Sequence, residues 1–209
     1  MATSSSLNKF TVPLPPGQSS SHQGVLMPKL KFRFRVQFLN FGVSGGATTE
    51  LTKQVMNFTR PKVGFEPIEI PVYNSRIYYA GKPTWETVTC NLRDDALGEV
   101  GRLVSEQLQK QFDFMEQSSA AAGIDYKFQT LVEVLDGGNG AHDPKILETW
   151  ELLGCFITNA DYGDADYSSN DPMTIALTIR YDNAIQSGGK DSTQFGINAF
   201  GSGVLGDRL

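Results

Sequence analysis

Apolar and polar residues alternate from Leu30 to Phe38: Leu30, Phe32, Phe34, Val36 and Phe38 interleave with Lys31, Arg33, Arg35 and Gln37. Period two predicts a strand with five apolar groups toward a core and a basic row on the other face. Like charges at alternate positions repel, so Lys31, Arg33 and Arg35 are best placed against the carboxylates of a neighbouring subunit. The stretch 41–50 holds the glycine-rich GVSGGATTE, and 51–61 resumes an extended pattern, which together read as a long hairpin. Pro67 and Pro71 make 65–72 an edge or kinked strand, because proline donates nothing to a ladder. Gly81-Lys82-Pro83 turns the chain into 85–92, where Val88, Cys90 and Leu92 share one face and Thr87, Thr89 and Asn91 the other.

After Asp94 and Asp95 the period changes. Leu97, Val100, Leu103, Val104, Leu108, Phe112 and Met115 fall at three- and four-residue steps, predicting an amphipathic helix over about 95–117, capped by the two aspartates. Gly98 and Gly101 weaken its first turns by roughly 1 kcal/mol each, so packing against an open sheet end must offset them. Strands follow at 126–135, 146–157 and 173–181, separated by a glycine-rich turn at 136–140 and an acidic loop at 162–172. The prolines of 1–27 predict an extended N-terminal arm. Residues 185–209 are rich in glycine and serine but carry Phe195, Ile197, Phe200, Val204 and Leu205, apolar groups suited to anchoring on a neighbour. The organisation expected is an arm (1–27), a β domain (28–184) and a second arm (185–209). The fold class is mainly β: an antiparallel β-sandwich or barrel with one flanking helix.

Hydrophobic residues make up 40% of the 209, enough for a sizeable core, and the formal net charge of −5 argues against a dedicated nucleic-acid binder. No apolar run reaches the ~20 residues that span a bilayer, and the N-terminus lacks the basic start and apolar centre of a secretory signal. The expectation is therefore synthesis in the cytoplasm. Cys90 and Cys155 sit on apolar strand runs and read as buried free thiols, with a disulfide as the alternative.

No constellation for chemistry emerges. Gly201, Gly203 and Gly206 complete a literal G-x-G-x-x-G, but no helix follows to receive a pyrophosphate. Asp161, Asp164, Asp166 and Asp171 lack the glycine position and closing acid of a calcium loop. His22 and His142 fall in loop-like stretches away from any nucleophile. Glu133, Glu148 and Glu151 are explained as solvent-facing strand positions. No metal, cofactor or catalytic residue is expected.

The blocks 68–92 and 150–184, bracketing one helix, resemble the tail tube proteins of contractile-tailed bacteriophages. The resemblance rests on Pro71, Val72, Arg76, Ala80, Gly81, Trp85 and Val88, then Trp150 and Gly154, then Ile175, Leu177, Ile179, Tyr181 and Asp182, in that order and at family-like spacing. It spans roughly residues 30–184. It implies a structural virion protein, not an enzyme: hexameric rings stack into a hollow tube inside a contractile sheath. The tube houses a tape-measure protein, contacts the baseplate hub and tail terminator, and conducts DNA without binding it specifically. The same fold is that of pyocin and type VI secretion tubes. On this resemblance the inter-subunit and inter-ring contacts expected are Lys31, Arg33, Arg35, Gly45, Gly46, Thr48, Glu50, Arg76, Phe195, Ile197 and Phe200. Thr87, Thr89, Asn91, Thr174 and Thr178 are expected to face the lumen. A type VI secretion-like ring is one alternative. Another is a carbohydrate-binding β-sandwich with Trp85 and Trp150 as stacking platforms.

Overall fold

The structure, a computed structural model, describes residues 28–43, 48–136 and 144–188. Two compact units divide the chain between Arg33 and Phe34. In the first, the described residues close a turn: the Arg33 amide donates to the Leu30 carbonyl at 3.2 Å, and the Arg33 guanidinium lies 5.5 Å from the Phe32 ring centroid. The strand expected over 30–38 therefore begins only at Phe34, and Lys31 and Arg33 are not part of it.

The second unit begins with β1 (Phe34–Leu39), whose alternation buries Val36 and Phe38. The extended stretch expected after the glycine-rich turn is instead helical, α1 (Thr49–Gln54), with β2 (Val55–Phe58) following directly. Leu51 drives this: it is fully buried, and one helical turn aims it at the core that an extended chain would pass by. β1 consequently pairs not with this segment but with β8 (Phe128–Leu135), antiparallel, Val36 opposite Val132. Between them come β3 (Val63–Val72), β4 (Ser75–Trp85), β5 (Val88–Arg93), α2 (Glu99–Gln111), a short β6 (Phe112–Asp113) and β7 (Ser118–Ser119), and the single turn α3 (Gly123–Tyr126). β9 (Ile146–Asp161), β10 (Thr174–Arg180) and β11 (Asn183–Gly188) complete it.

β9 belongs to two sheets. Its first half pairs with β8 on one edge and β11 on the other, giving the order β1-β8-β9-β11. Its second half pairs with β10, giving β9-β10-β5-β2. The switch falls at Gly154, at φ +66°, where a Cβ would overlap the Asp182 carboxylate. Only glycine fits both the left-handed backbone and that close approach. The Asp182 amide donates to the Leu153 carbonyl at 3.0 Å and its carboxylate accepts from Lys127 Nζ at 2.6 Å, which pins the corner.

The inner faces of both sheets supply one buried cluster: Val36, Phe38, Phe128 and Val132 from the first, Val88, Cys90, Leu92, Ile175, Leu177 and Ile179 from the second, with β9 shared. The architecture is a sandwich of antiparallel sheets; it is not closed into a barrel. The strand expected at 173–181 spans Thr174–Arg180 and buries Ile175, Leu177 and Ile179, with Tyr181 buried just beyond it; Met173, expected to face in, is exposed. β11 adds a strand inside the stretch expected to be a C-terminal arm; the rest of that arm and residues 1–27 lie outside the described residues, as does the turn at 137–140.

α2 plugs the sandwich, as its stripe predicts, but it is shorter than expected. It spans 99–111, so Gly98 stands at its N-cap position and Leu97 and Met115 lie beyond its ends, exposed. Of the stripe, Val100, Leu103 and Val104 are buried. Of the two predicted capping aspartates, Asp95 meets an orphan helix amide, accepting from Val100 N–H at 2.9 Å. Gln107, fully buried, is the helix's polar anchor. Its carbonyl accepts the Gly42 amide at 2.9 Å and its amide donates to the Tyr126 carbonyl at 2.7 Å.

Candidate assembly interface

β3 and β4 form a hairpin that stands apart from both sheets. They pair only with each other, Ile70 opposite Ile77, and the turn is Tyr73-Asn74. All of β3 is exposed, and so is β4 except at Gly81 and Trp85. Opposed residues share a face, so Ile68 with Tyr79 and Ile70 with Ile77, next to Val72, form one apolar side. The other side carries Pro67, Pro71, Tyr78 and the ion pair Arg76–Glu69 at 2.9 Å. Both prolines sit where a two-stranded ribbon has free edges to spare, which is why 67 and 71 tolerate them. The ladder shifts register between Phe65 and Pro67, and opposite that bulge a Cβ on Gly81 would overlap the Glu66 carbonyl oxygen.

The root of the hairpin is held firmly. The Glu86 amide donates to the Lys62 carbonyl at 3.0 Å, and the Trp85 ring packs 5.7 Å from Tyr181. Arg60, just before β3, pairs with Glu148, which also accepts from Trp150 Nε1 at 2.6 Å and Gln186 Nε2 at 2.7 Å. Glu148 is thus turned inward and buried, contrary to the solvent-facing position expected for it; period two places it on the same face as Trp150 and Leu152. Glu133 is also largely buried, against Arg35. Both tryptophan rings are committed to the molecule's own packing.

A second surface is defined by the outer side of β9-β10-β5-β2. Thr59, Thr89, Thr178 and Asn159 form one row across it; the Thr59 N–H donates to the Thr89 carbonyl on β5 at 2.9 Å, and the hydroxyls of Thr59 and Thr89 lie 2.6 Å apart. Asn57, Asn91, Ala176 and Asp161 form the next row. Thr174 lies opposite Arg93 one step further, so Thr89, Asn91, Thr174 and Thr178 share this face as the alternation predicts. Thr87 precedes β5, in the link from β4.

The other singled-out residues scatter. Arg35 lies on the outer face of β1 and its Nε donates to Glu133 at 2.6 Å within the same chain. Thr48 bonds the Phe38 carbonyl and its own carbonyl accepts the Thr52 amide at 3.1 Å, starting α1, which contains Glu50. Gly45, Gly46, Phe195, Ile197 and Phe200 lie outside the described residues, as do His22, His142 and the glycine motif of 201–206. The apolar side of the hairpin was missed in the sequence; its signal was the alternation through Ile68, Ile70, Val72 and Ile77, Tyr79 around Tyr73-Asn74.

Burial pushes the Cys90 thiol up to about 12 and that of Cys155 to about 11, so both are protonated and inert near neutrality. They are free thiols. The loop 162–174 surrounds a depression of about 430 Å³. Two carboxylates here serve local turns: Asp161 accepts the Gly163 amide at 2.9 Å and Asp166 the Ser168 amide at 2.9 Å, which holds Asp166 below its usual range. Among the described residues no cluster of three metal-ligating side chains occurs.

No family model and no curated relative matches this sequence. Solved structures do match. A chain of the anti-feeding prophage baseplate is similar over 79% of this chain and 99% of its own, at 16% identity and a TM-score of 0.56. A chain of the sheath/tube terminator of an extracellular contractile injection system, PVC, is similar over 78% and 99%, at 14% identity and 0.52. One from the PVC sheath-tube complex in the extended state is similar over 77% and 92%, at 16% and 0.52. The fold is shared with these chains of contractile injection systems.

Proposed function

We propose that this chain is the subunit of a contractile-tail tube. Hexameric rings stack into a hollow conduit within a sheath, house a tape-measure protein, and contact a baseplate hub below and a terminator above. The subunit performs no chemistry; it is made in the bacterial host cytoplasm and resides in the virion tail.

The observation that carries this is the β3–β4 hairpin. An isolated two-stranded ribbon is at best marginally stable in water, yet this one pairs in unbroken register from Pro67 opposite Ala80 to Val72 opposite Ser75 while exposing Ile68, Ile70, Ile77 and Tyr79. A contiguous apolar side on a solvent-facing arm marks an interaction surface. A second copy of the chain is the occupant that explains it best, since head-to-tail contacts close into rings and stack into filaments. One sheet edge agrees. The free edge of β2 (Val55–Phe58) carries no charge, whereas that of β9 is covered at Ile157 by the Gln111 side chain, which accepts the Ile157 amide and donates to its carbonyl, both at 2.9 Å. Edges that must stay unpaired are usually guarded by charge.

Negative-stain electron microscopy over a concentration series tests the reading. Hollow tubes or rings are expected from the native chain. The double variant Ile70→Glu/Ile77→Glu should give none, yet unfold in urea at the same midpoint, because both side chains are exposed and neither belongs to the core. A native chain that stays monomeric even with baseplate-hub protein added would overturn the proposal, as would a hairpin variant that assembles normally.

A further inference from the structure

We propose that Gln111 is a removable guard on the edge of β9. Its side chain stands in for a strand in the isolated subunit and gives way when a strand of a second copy takes that edge. The occupant follows from the self-assembly proposed above; the guard stands on the geometry of one chain.

β9 is bare on one side for part of its length. β8 follows it only as far as Cys155, opposite Phe128, and β10 lies on the other side. Among the described residues no strand pairs with that edge from Phe156 to Asp161. The end of α2 fills one step of the gap. The Gln111 side-chain carbonyl accepts the Ile157 N–H, and its amide donates to the Ile157 carbonyl, both at 2.9 Å. Opposed residues of an antiparallel ladder exchange the same two bonds, and a primary amide carries the donor and the acceptor to copy them. Charge and proline, which ordinarily protect an edge, are absent from Phe156 to Ala160.

α2 does not need Gln111 to stay in place. Val100, Leu103 and Val104 are buried, and Gln107, one turn earlier, bonds the Gly42 amide and the Tyr126 carbonyl. Gln111 is the last residue of α2 and only half-buried, so rotation of its own side chain uncovers the edge without moving the helix. A strand laid along 156–161 would bond at every second residue, which exceeds the two bonds given up. Such a guard turns away stray contacts and yields to a partner held in register. The chain carries a matching strand, since β2 ends the same sheet with an uncharged edge. The consequence is a threshold: copies associate only at a higher concentration, or on a pre-formed end, than an open β9 edge would require.

Gln111→Met keeps the length of the side chain and removes both hydrogen bonds, which makes it the test. Native and variant chains are compared first at concentrations where sedimentation shows monomers. Exchange of the Ile157 amide hydrogen should be roughly tenfold faster in the variant, the worth of about one hydrogen bond, with an unchanged circular dichroism spectrum. As concentration is raised, light scattering should show the variant associating at a lower threshold and with a shorter lag. Gln111→Asn, one methylene too short to reach Ile157, should act in the same direction and replaces the methionine variant if that one misfolds. Gln111→Met/Asn159→Lys should return the threshold toward the native value, because lysine on an exposed edge is itself a guard. Equal exchange at Ile157 overturns the proposal, since Gln111 then covers nothing in solution. So does an unchanged or raised threshold, which makes Gln111 a strut of the helix. Association of the double variant as strong as that of the single one also overturns it, by placing the contact on another edge. A lowered threshold without rings or tubes leaves the guard standing and sinks the tube reading; tubes that form at one threshold with or without Gln111 sink the guard alone.

Discussion

Gly154 shows how much one residue decides. It combines a left-handed φ of +66° with the approach of the Asp182 carboxylate, at the point where β9 leaves one sheet for the other. Gly154→Ala should destabilise the chain by about 1–3 kcal/mol, read as a lower urea midpoint with an unchanged slope. Acid should act through residues as well. Asp95, held down first by the Val100 amide, and Asp113, held down first by the Glu116 amide, both titrate below the carboxylate's ordinary 3.8. A depressed folded-state pKa contributes stability that is present above the unfolded value and lost as pH falls through the folded one. The urea midpoint should therefore fall as pH drops below about 3.8, and Asp95→Asn should flatten that fall. An unchanged profile in the variant would show that other carboxylates dominate.

At the scale of elements, α2 is bound to the sandwich by more than its apolar stripe. Gln107 satisfies the Gly42 amide and the Tyr126 carbonyl from a fully buried position. Gln107→Ala leaves both unpartnered, and buried orphans of this kind cost about 1–3 kcal/mol each. The expected result is loss of hydrogen-exchange protection at residues 41–43 and in α2, beyond any loss in β10. The sequence showed that helix through its three-four spacing, yet not its ends, because Leu97 and Met115 fit the same spacing and nothing local says that the chain turns away before them. α1 was illegible for a related reason: one turn is too short to display a period, and Leu51 joins the core only once β1 and β5 are in place.

For the whole molecule, the sandwich and the hairpin divide the labour. The sandwich buries one cluster and accounts for the fold; the hairpin, the uncharged β2 edge and the Thr/Asn face are directed outward. Removing residues 189–209 should leave urea unfolding unchanged, since the described residues through β11 already close the buried cluster, while lowering the extent of assembly seen by sedimentation. Normal assembly of the shortened chain would dismiss the idea that Phe195, Ile197 and Phe200 anchor on a neighbour.

Period two by itself determined the inward faces of β1, β5 and β10, because alternation is a local property and a half-buried strand must display it. The spacing of Trp85, Gly154 and Tyr181 was equally visible. Tertiary structure alone decided the rest. Which strands pair is a contest among all edges at once, so β1 meeting β8 and β9 serving two sheets cannot be read from either strand. Whether an alternating run such as 68–79 covers a core or stands free depends on what else occupies the core, and here the two sheets fill it without the hairpin. That exclusion is what leaves Ile70 and Ile77 facing water, and it is a property of the packed molecule rather than of any segment of its chain.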